Sequence, residues 1–147
     1  MLFSRCAAVA ATIMLFWAGG ASARPVDPAE NRFIPFNGSI PPCDNWWTLN
    51  FITHDFNVHE HWFFNSPLEI TEFQKTGEIG YRTNGLDFVP RRYCVARAMF
   101  NDGRAREVKY NLIEGGGFVG IGAGVEWCVV GLDRYHVYSP ACSAAGP

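Results

Sequence analysis

Aromatic and apolar residues between Asp44 and Phe64 recur at spacings of three, four or seven, which predicts an amphipathic helix over this segment. Asp44 is expected to cap the first turn, because its carboxylate can accept hydrogen bonds from the free N–H groups there. Pro67 ends the helix, since the residue before a proline disfavours helical backbone. The face predicted to pack against the rest of the domain consists of Trp47, Phe51, Val58 and Trp62, with Phe56 on its flank.

The remaining hydrophobic pattern favours extended chain. One extended stretch opens at Leu68 and continues through Tyr81, with Gly77 as the position for a bulge or a turn, and Thr83-Asn84-Gly85 follows as a turn signal. Three more strands are predicted at 91–100, 104–114 and 125–132, with a glycine-rich connection at 115–124 and a short edge strand at 136–138.

The hairpin turn at Asp102-Gly103 leaves two registers open for the strands beside it. A two-residue loop pairs Val95 with Tyr110, whereas a three-residue loop pairs Cys94 with Tyr110, and this slip of one residue exchanges the two faces of a strand. We favour the second register because it places small side chains beneath the helix, where room is limited: Cys94, Ala96 and Ala98. The predicted fold class is α+β, with one N-terminal helix packed on a curved antiparallel sheet of about four strands.

The first 23 residues have the three parts of a secretory signal peptide. Arg5 supplies a positive charge, residues 6–20 form an uncharged apolar run, and Ala21-Ser22-Ala23 has the small side chains that signal peptidase accepts. The apolar run is about 15 residues long, short of the roughly 20 that a membrane-spanning helix needs. We therefore predict export with cleavage after Ala23, and an uncleaved N-terminal anchor is the alternative.

Cleavage would leave a chain of single-domain size with a mild negative charge. Residues 24–42 form a proline-rich segment, residues 43–142 a single α+β domain and residues 143–147 a tail. Loss of Arg5 changes the formal net charge from −2 to −3. This charge does not match a nucleic-acid-binding protein, and no polybasic cluster points to an anionic membrane. We expect no nucleic-acid partner and no stable membrane insertion after signal cleavage.

Four cysteines follow the predicted cleavage site, and in an exported chain they predict two disulfides. Zinc binding is the alternative, but it generally uses close cysteine pairs, and the spacings here are 51, 34 and 14 residues. Of the three possible pairings, we predict Cys94–Cys128, which would link nearby strands, and Cys43–Cys142, which would link the two ends of the domain.

Four short segments of the domain have a distinctive sequence: Asn65-Ser66-Pro67-Leu68-Glu69-Ile70, Pro90-Arg91-Arg92-Tyr93-Cys94, Gly124-Val125-Glu126-Trp127-Cys128 and Gly131-Leu132-Asp133-Arg134. In these segments the chain resembles a family of small, uncharacterised, signal-peptide-bearing exported proteins of alphaproteobacteria. The resemblance covers roughly residues 43–142 and implies a bacterial periplasmic or secreted setting. It implies no activity, cofactor or catalytic residue.

Three histidines within eight residues, His54, His59 and His61, are the best candidates for metal ligands. On a helix His59 and His61 point about 200° apart, and His54 and His61 share a face but lie about 10 Å apart along the axis. We predict no metal site and keep His54 and His61 as candidate site residues. Glu126 is a third candidate, because its apolar neighbours predict partial burial. The glycine-rich connection lacks the strand–loop–helix setting of a dinucleotide-binding site, so no cofactor is predicted.

Three tryptophans, Trp46, Trp47 and Trp62, lie in the predicted helix. Two interpretations are open. A small domain needs large side chains in its core, and exposed aromatic rings are typical of binding surfaces. We keep the three residues as a possible surface for a ligand or partner.

No catalytic motif accompanies the export signal, since the chain lacks a G-x-S-x-G sequence and disulfide-bonded cysteines provide no thiolate. The leading hypothesis is a non-enzymatic binding or accessory protein. Its partner would be an envelope protein or glycan, contacted through Trp46 and Trp47 or the glycine-rich connection. One alternative is a small hydrolase or lyase with a cavity between helix and sheet, where His54 or His61 would meet Glu126. Another is an inhibitor of an envelope-directed enzyme.

Overall fold

Residues 36–83 and 89–147 are described in the computed structural model of this protein. The predicted signal peptide and most of the proline-rich segment lie outside these residues, as does the Asn84-Gly85 part of the predicted turn. No helix within the two described ranges combines the length and the apolar character that crossing a membrane requires.

Helix α1 spans Trp46–Phe64. Asn45 caps it, because its side-chain carbonyl accepts hydrogen bonds from the backbone N–H groups of Trp47 and Thr48. The prediction that Asp44 caps the helix was therefore wrong by one residue. The C-terminal end lies where it was predicted, and Asn65 closes it in the left-handed conformation, with φ at 47°.

Four antiparallel strands form one open sheet, in which each strand pairs with the next along the chain. Helix α1 packs across one face of this sheet, which confirms the predicted α+β fold. The strands are β1 (Ile70–Arg82), β2 (Arg91–Phe100), β3 (Ala105–Ile113) and β4 (Gly124–Val129), and short 3-10 turns occupy Phe118–Gly120 and Pro140–Ala145.

The β2–β3 hairpin has a three-residue loop, and the favoured register is confirmed. Cys94 pairs with Tyr110, and Ala96 pairs with Val108. Gly103 closes the loop with a φ of +75°, a backbone conformation that residues with a Cβ rarely adopt. Cys94, Ala96 and Ala98 are fully buried in the core that α1 covers.

Helix α1 contacts the sheet through a different face from the predicted one. The buried positions recur every four residues, at Thr48, Ile52, Phe56 and Glu60. The predicted face points away from the sheet, and its largest side chains are exposed: Trp47, Phe51 and Trp62. The buried face contains two polar residues, so hydrophobicity alone selects the wrong side of the helix. Packing of Phe56 edge-on against Phe100 and Trp127 compensates for them.

The four cysteines form two disulfides, Cys43–Cys94 and Cys128–Cys142. The predicted pairing of Cys94 with Cys128 and Cys43 with Cys142 was therefore wrong. The strand register explains why, because Cys94 lies on the sheet face that α1 covers and Cys128 lies on the opposite face. Cys43 precedes α1 and reaches Cys94 on the covered face. Cys142 reaches Cys128 from the segment that crosses the other face.

Strand β1 is irregular, but its bulges are not at Gly77 as predicted, since Gly77 pairs with Val95 in register. The three residues that the pairing with β2 skips are Thr71, Lys75 and Ile79. Lys75 has a φ of +46°, which only a local departure from strand geometry allows.

The chain after β4 forms turns where a short edge strand was predicted at 136–138. The carboxylate of Asp133 accepts hydrogen bonds from the backbone N–H groups of Val137 (3.0 Å) and Tyr138 (2.8 Å), which holds this segment in a turn. The last residues pack back onto the sheet: Ala145 is buried, and Pro147 lies close to Gly80. Residues 143–147 are thus in contact with the domain.

Candidate functional site

A cleft of about 480 Å³ opens between the C-terminal half of α1, strand β4 and the segment 132–138. Every residue of β4 from Val125 to Val129 contributes to its lining. Aromatic rings make up much of the rest, namely those of Phe56, His59, Phe63, Phe64, Tyr135 and Tyr138.

Trp127 is the central ring of the cleft and is held by α1. Its indole Nε1–H donates a hydrogen bond to the Asp55 carboxylate at 2.9 Å. The rings of Phe56 and His59 each meet it edge to face, with centroids 5.9 Å from the indole. These three contacts come from one helical face, so the rotation of α1 fixes the orientation of the indole.

An ion pair ties the 132–138 segment to α1. Arg134 Nη2 donates to the Glu60 carboxylate at 2.7 Å, and only 3% of the Glu60 side chain is exposed. The Arg134 guanidinium also lies 4.1 Å above the ring of Phe64, which in turn packs against Tyr135. These contacts form the wall of the cleft that the 132–138 segment contributes.

The other carboxylates of the cleft also accept hydrogen bonds from the protein. Glu126 accepts from Arg91 at 3.1 Å and from Asn111 at 3.0 Å. Asp133 accepts from two backbone N–H groups, as described above, and Asp55 accepts from Trp127. All four carboxylates therefore have partners within the fold.

The cleft carries a negative charge balance. Four carboxylates line it, those of Asp55, Glu60, Glu126 and Asp133. Arg134 neutralises Glu60 and Arg91 neutralises Glu126, whereas Asp55 and Asp133 have no lysine or arginine partner among the described residues. Burial raises the pKa of Tyr138, and the charges of the carboxylates other than Glu60 raise it further. The phenol therefore stays neutral to a higher pH than an ordinary tyrosine.

Only one of the predicted candidate residues lies in the cleft. Glu126 lines it, whereas His54 and His61 project from the exposed side of α1. His59 lies there instead, with Nε2 at 3.8 Å from the Asp55 carboxylate. The correct helical phase would have revealed it, since Asp55 and His59 directly precede the buried Phe56 and Glu60 in the chain, and Phe63 continues the same row. Over residues 36–83 and 89–147, no three histidine, cysteine, aspartate or glutamate side chains are arranged to hold a metal ion.

The three candidate tryptophans lie outside the cleft. Trp46 and Trp62 are 71% and 76% exposed, and Trp47 stacks on Phe51 with ring centroids 5.8 Å apart. We refer to the exposed aromatic side chains of α1 outside the cleft, namely Trp46, Trp47, Phe51 and Trp62, as the outer aromatic face.

No protein-family model, curated protein or solved structure matches this chain. The resemblance to exported alphaproteobacterial proteins therefore stays a prediction.

Proposed function

We propose that this protein is an exported binding protein and that the cleft beside β4 is its ligand-binding site. The observation that supports this most is an open cavity lined by aromatic rings and a few fixed polar groups. Its volume of about 480 Å³ falls within the roughly 300–1,000 Å³ of ligand-binding pockets. Rings such as those of Trp127 and Tyr138 give a ligand much contact area at a small cost in side-chain entropy.

The hydrogen bonds of the carboxylates support a binding site with fixed walls. Each of the four carboxylates accepts at least one hydrogen bond from the protein, so each has a structural role in the cleft. Asp55 and Glu60 hold the cleft walls in place, Asp133 holds the turn after β4, and the unneutralised Asp55 and Asp133 give the cleft its negative charge. This is the arrangement of a preorganised binding site.

Two disulfides are consistent with an oxidising, extracellular environment. The finer location, a bacterial periplasm or the surrounding medium, is part of the proposal. It is supported by the signal-like first 23 residues and by the segments that resemble exported alphaproteobacterial proteins. An envelope protein or glycan is the class of partner that such a location offers.

Tryptophan indole N–H signals in ¹H–¹⁵N NMR spectra would test the proposal, because they report the cleft and the outer aromatic face separately. We expect that fragments from a library of small aromatic and aliphatic compounds shift the Trp127 signal. The signals of Trp46, Trp47 and Trp62 should stay in place for the same fragments. Binding seen only at those three tryptophans, or at none of the four, would refute the cleft as the binding site.

A pair of valine-to-tryptophan variants provides the control. Val137→Trp places a large ring at the mouth of the cleft, and we expect it to weaken fragment binding. Val119→Trp makes the same change on the exposed 3-10 turn before β4, outside the cleft lining, and should bind fragments like the unmodified protein.

A small hydrolase or lyase is a second candidate, favoured by the contact between Asp55 and His59 inside the cleft. In this case His59 would act as a base oriented by Asp55. Turnover of chromogenic esters or glycosides that is lost in His59→Asn, with fragment binding kept, would support the enzyme. Equal turnover by both proteins would exclude it.

A further inference from the structure

Strand β4 is one edge of the sheet, and half of its backbone polar groups point away from β3. Val130 N–H donates to Glu107 C=O at 2.9 Å, which sets the alternation of the ladder. In the register of β3 with β4, Glu126 and Cys128 direct their N–H and C=O groups toward β3. Val125, Trp127 and Val129 consequently direct theirs toward the open edge.

These edge groups are largely without partners inside the described part of the fold. The C=O of Val129 accepts a hydrogen bond from Leu132 N–H at 3.0 Å. In residues 36–83 and 89–147, no backbone or side-chain group bonds to the N–H or C=O of Val125 or Trp127. An edge strand in this state can pair with another extended chain.

The open edge lies within the cleft rather than on a flat surface. Residues Val125 to Val129 line the cleft, with Phe63 of α1 and Val137 of the following segment on its other walls. An added strand would therefore have pockets for alternate side chains as well as backbone partners. This combination is how domains that bind peptides by strand addition obtain both affinity and specificity.

Charge indicates which kind of chain fits. Of the four carboxylates that line the cleft, Glu60 pairs with Arg134 and Glu126 pairs with Arg91. Within residues 36–83 and 89–147, Asp55 and Asp133 have no lysine or arginine partner, so their two negative charges remain. A ligand with lysine or arginine side chains complements this balance, and an acidic ligand is repelled by it. A second copy of this chain is disfavoured for the same reason, since a two-fold contact between β4 edges would bring the same carboxylates together.

We propose that the cleft binds an extended, positively charged peptide segment of another protein, which pairs with the open edge of β4 as a fifth strand. This inference rests on the cleft being the binding site and names its ligand class. Hydrogen bonds to Val125 and Trp127 would hold the peptide backbone. Aromatic walls would receive every second side chain, and the remaining side chains would point to the opposite side of the extended sheet.

Selection from a phage-displayed library of random heptapeptides tests this, with counter-selection on Val125→Pro. That variant removes an edge N–H and leaves the bonds from β4 to β3 in place, so the fold should persist. Retained slow amide exchange at Glu126 and Cys128, with unchanged indole signals of Trp46, Trp47 and Trp62, would verify the fold. We expect the enriched peptides to be rich in lysine or arginine and to bind Val125→Pro about tenfold more weakly or worse.

Two measurements on a synthetic copy of an enriched peptide decide whether it adds as a strand. Peptide binding should slow amide hydrogen exchange at Val125 and Trp127, and leave that at Glu126 and Cys128 as slow as before. In an added strand, every second peptide nitrogen faces β4. N-methylation of those nitrogens should weaken binding about tenfold or more, and N-methylation of the nitrogens between them should weaken it by less than about twofold.

Several outcomes would overturn the proposal. The first is that no peptide is enriched, and the second is that both sets of N-methyl groups weaken binding equally. The third is that analytical ultracentrifugation shows self-association that accounts for the protection of the edge amides. If fragments bind the cleft but no peptide does, the strand-addition inference fails and the proposed function stands. If neither binds, both fail.

Discussion

Strands β1 and β4 form the two edges of one sheet, and they are built in opposite ways. β1 has 13 residues, and the chain steps out of register with β2 at Thr71, Lys75 and Ile79. β4 has six residues and pairs with β3 without a register shift. The outer side of β1 is largely exposed, whereas the open edge of β4 lies in the cleft between α1 and residues 132–138.

The difference shows how a small open sheet can control association. Bulges and charged side chains along an edge prevent it from pairing with other chains, and β1 has both. β4 has only one charged residue, Glu126, which pairs with Arg91. A regular edge strand without bulges or several charged side chains can stay unpaired in a monomer when neighbouring elements limit access to it. We infer that β1 is protected by its own irregularity and β4 by its surroundings.

Removing the Cys128–Cys142 disulfide should have the largest effect, because it fastens the wall segment to β4. For a 14-residue loop the chain-entropy model predicts a loss of about 3 kcal/mol in unfolding free energy. Cys128→Ala combined with Cys142→Ala should speed amide exchange at Val137 and Tyr138 while β1 keeps its protection. Urea unfolding and hydrogen exchange measure the two effects. An equal increase of amide exchange in β1 would contradict the conclusion that the two edges are protected separately.

Arg134→Ala should have the next largest effect, because it leaves the buried Glu60 carboxylate without its partner. We expect the unfolding free energy to fall by about 2 kcal/mol, and fragment binding in the cleft to weaken as its wall loosens. Arg97→Ala, on the exposed surface of β2, is the matched control and should change stability by less than about 0.5 kcal/mol. Equal effects of the two variants would exclude a structural role for the Glu60–Arg134 pair.

Lys75→Gly tests whether the β1 bulge is a strained feature. The left-handed backbone at Lys75 costs a residue with a Cβ about 1–2 kcal/mol, and glycine loses about 0.5–1 kcal/mol through its greater unfolded-state freedom. A net stabilisation of about 0.5 kcal/mol is expected in thermal unfolding. Gln74→Gly changes the preceding residue, whose backbone is not left-handed, and should destabilise the protein. If both variants destabilise it equally, the bulge carries no local strain.

The smallest effect concerns pH on the β4 side. The raised pKa of Tyr138 means that the folded state holds this proton more tightly than the unfolded state. Its contribution to stability is full below the ordinary tyrosine pKa of about 10 and is lost as the pH rises through the folded value. Tyr138→Phe should therefore lose less stability than the unmodified protein above pH 10.

Alkaline unfolding curves measure this effect, and ¹³C NMR of the tyrosine rings gives the midpoint for Tyr138 directly. Tyr110 is buried and has a raised pKa for the same main reason, so the variant should remove only part of the alkaline loss. A Tyr138 midpoint at or below 10 would contradict the burial of its phenol and the negative charge around it.

Several features of the fold depended on local physical chemistry and could be predicted from the amino-acid sequence. The C-terminal end of α1 follows from the proline at position 67, and the β2–β3 register follows from the size of Cys94 and its neighbours. The presence of two disulfides follows from the number and spacing of cysteines. The first two depend on residues close in the chain or on side-chain size, and the third on the number and spacing of one residue type.

The tertiary structure decided the rest. Which side of α1 is buried depended on how Phe56 and Glu60 meet residues such as Trp127 and Arg134, more than 70 positions away. The cysteine pairing followed from strand faces that only the complete register defines. The cleft joins α1 to β4 and the segment after it, so no local pattern marks it. Composition and spacing determine which elements form, but the relative rotation of packed elements determines which side chains meet.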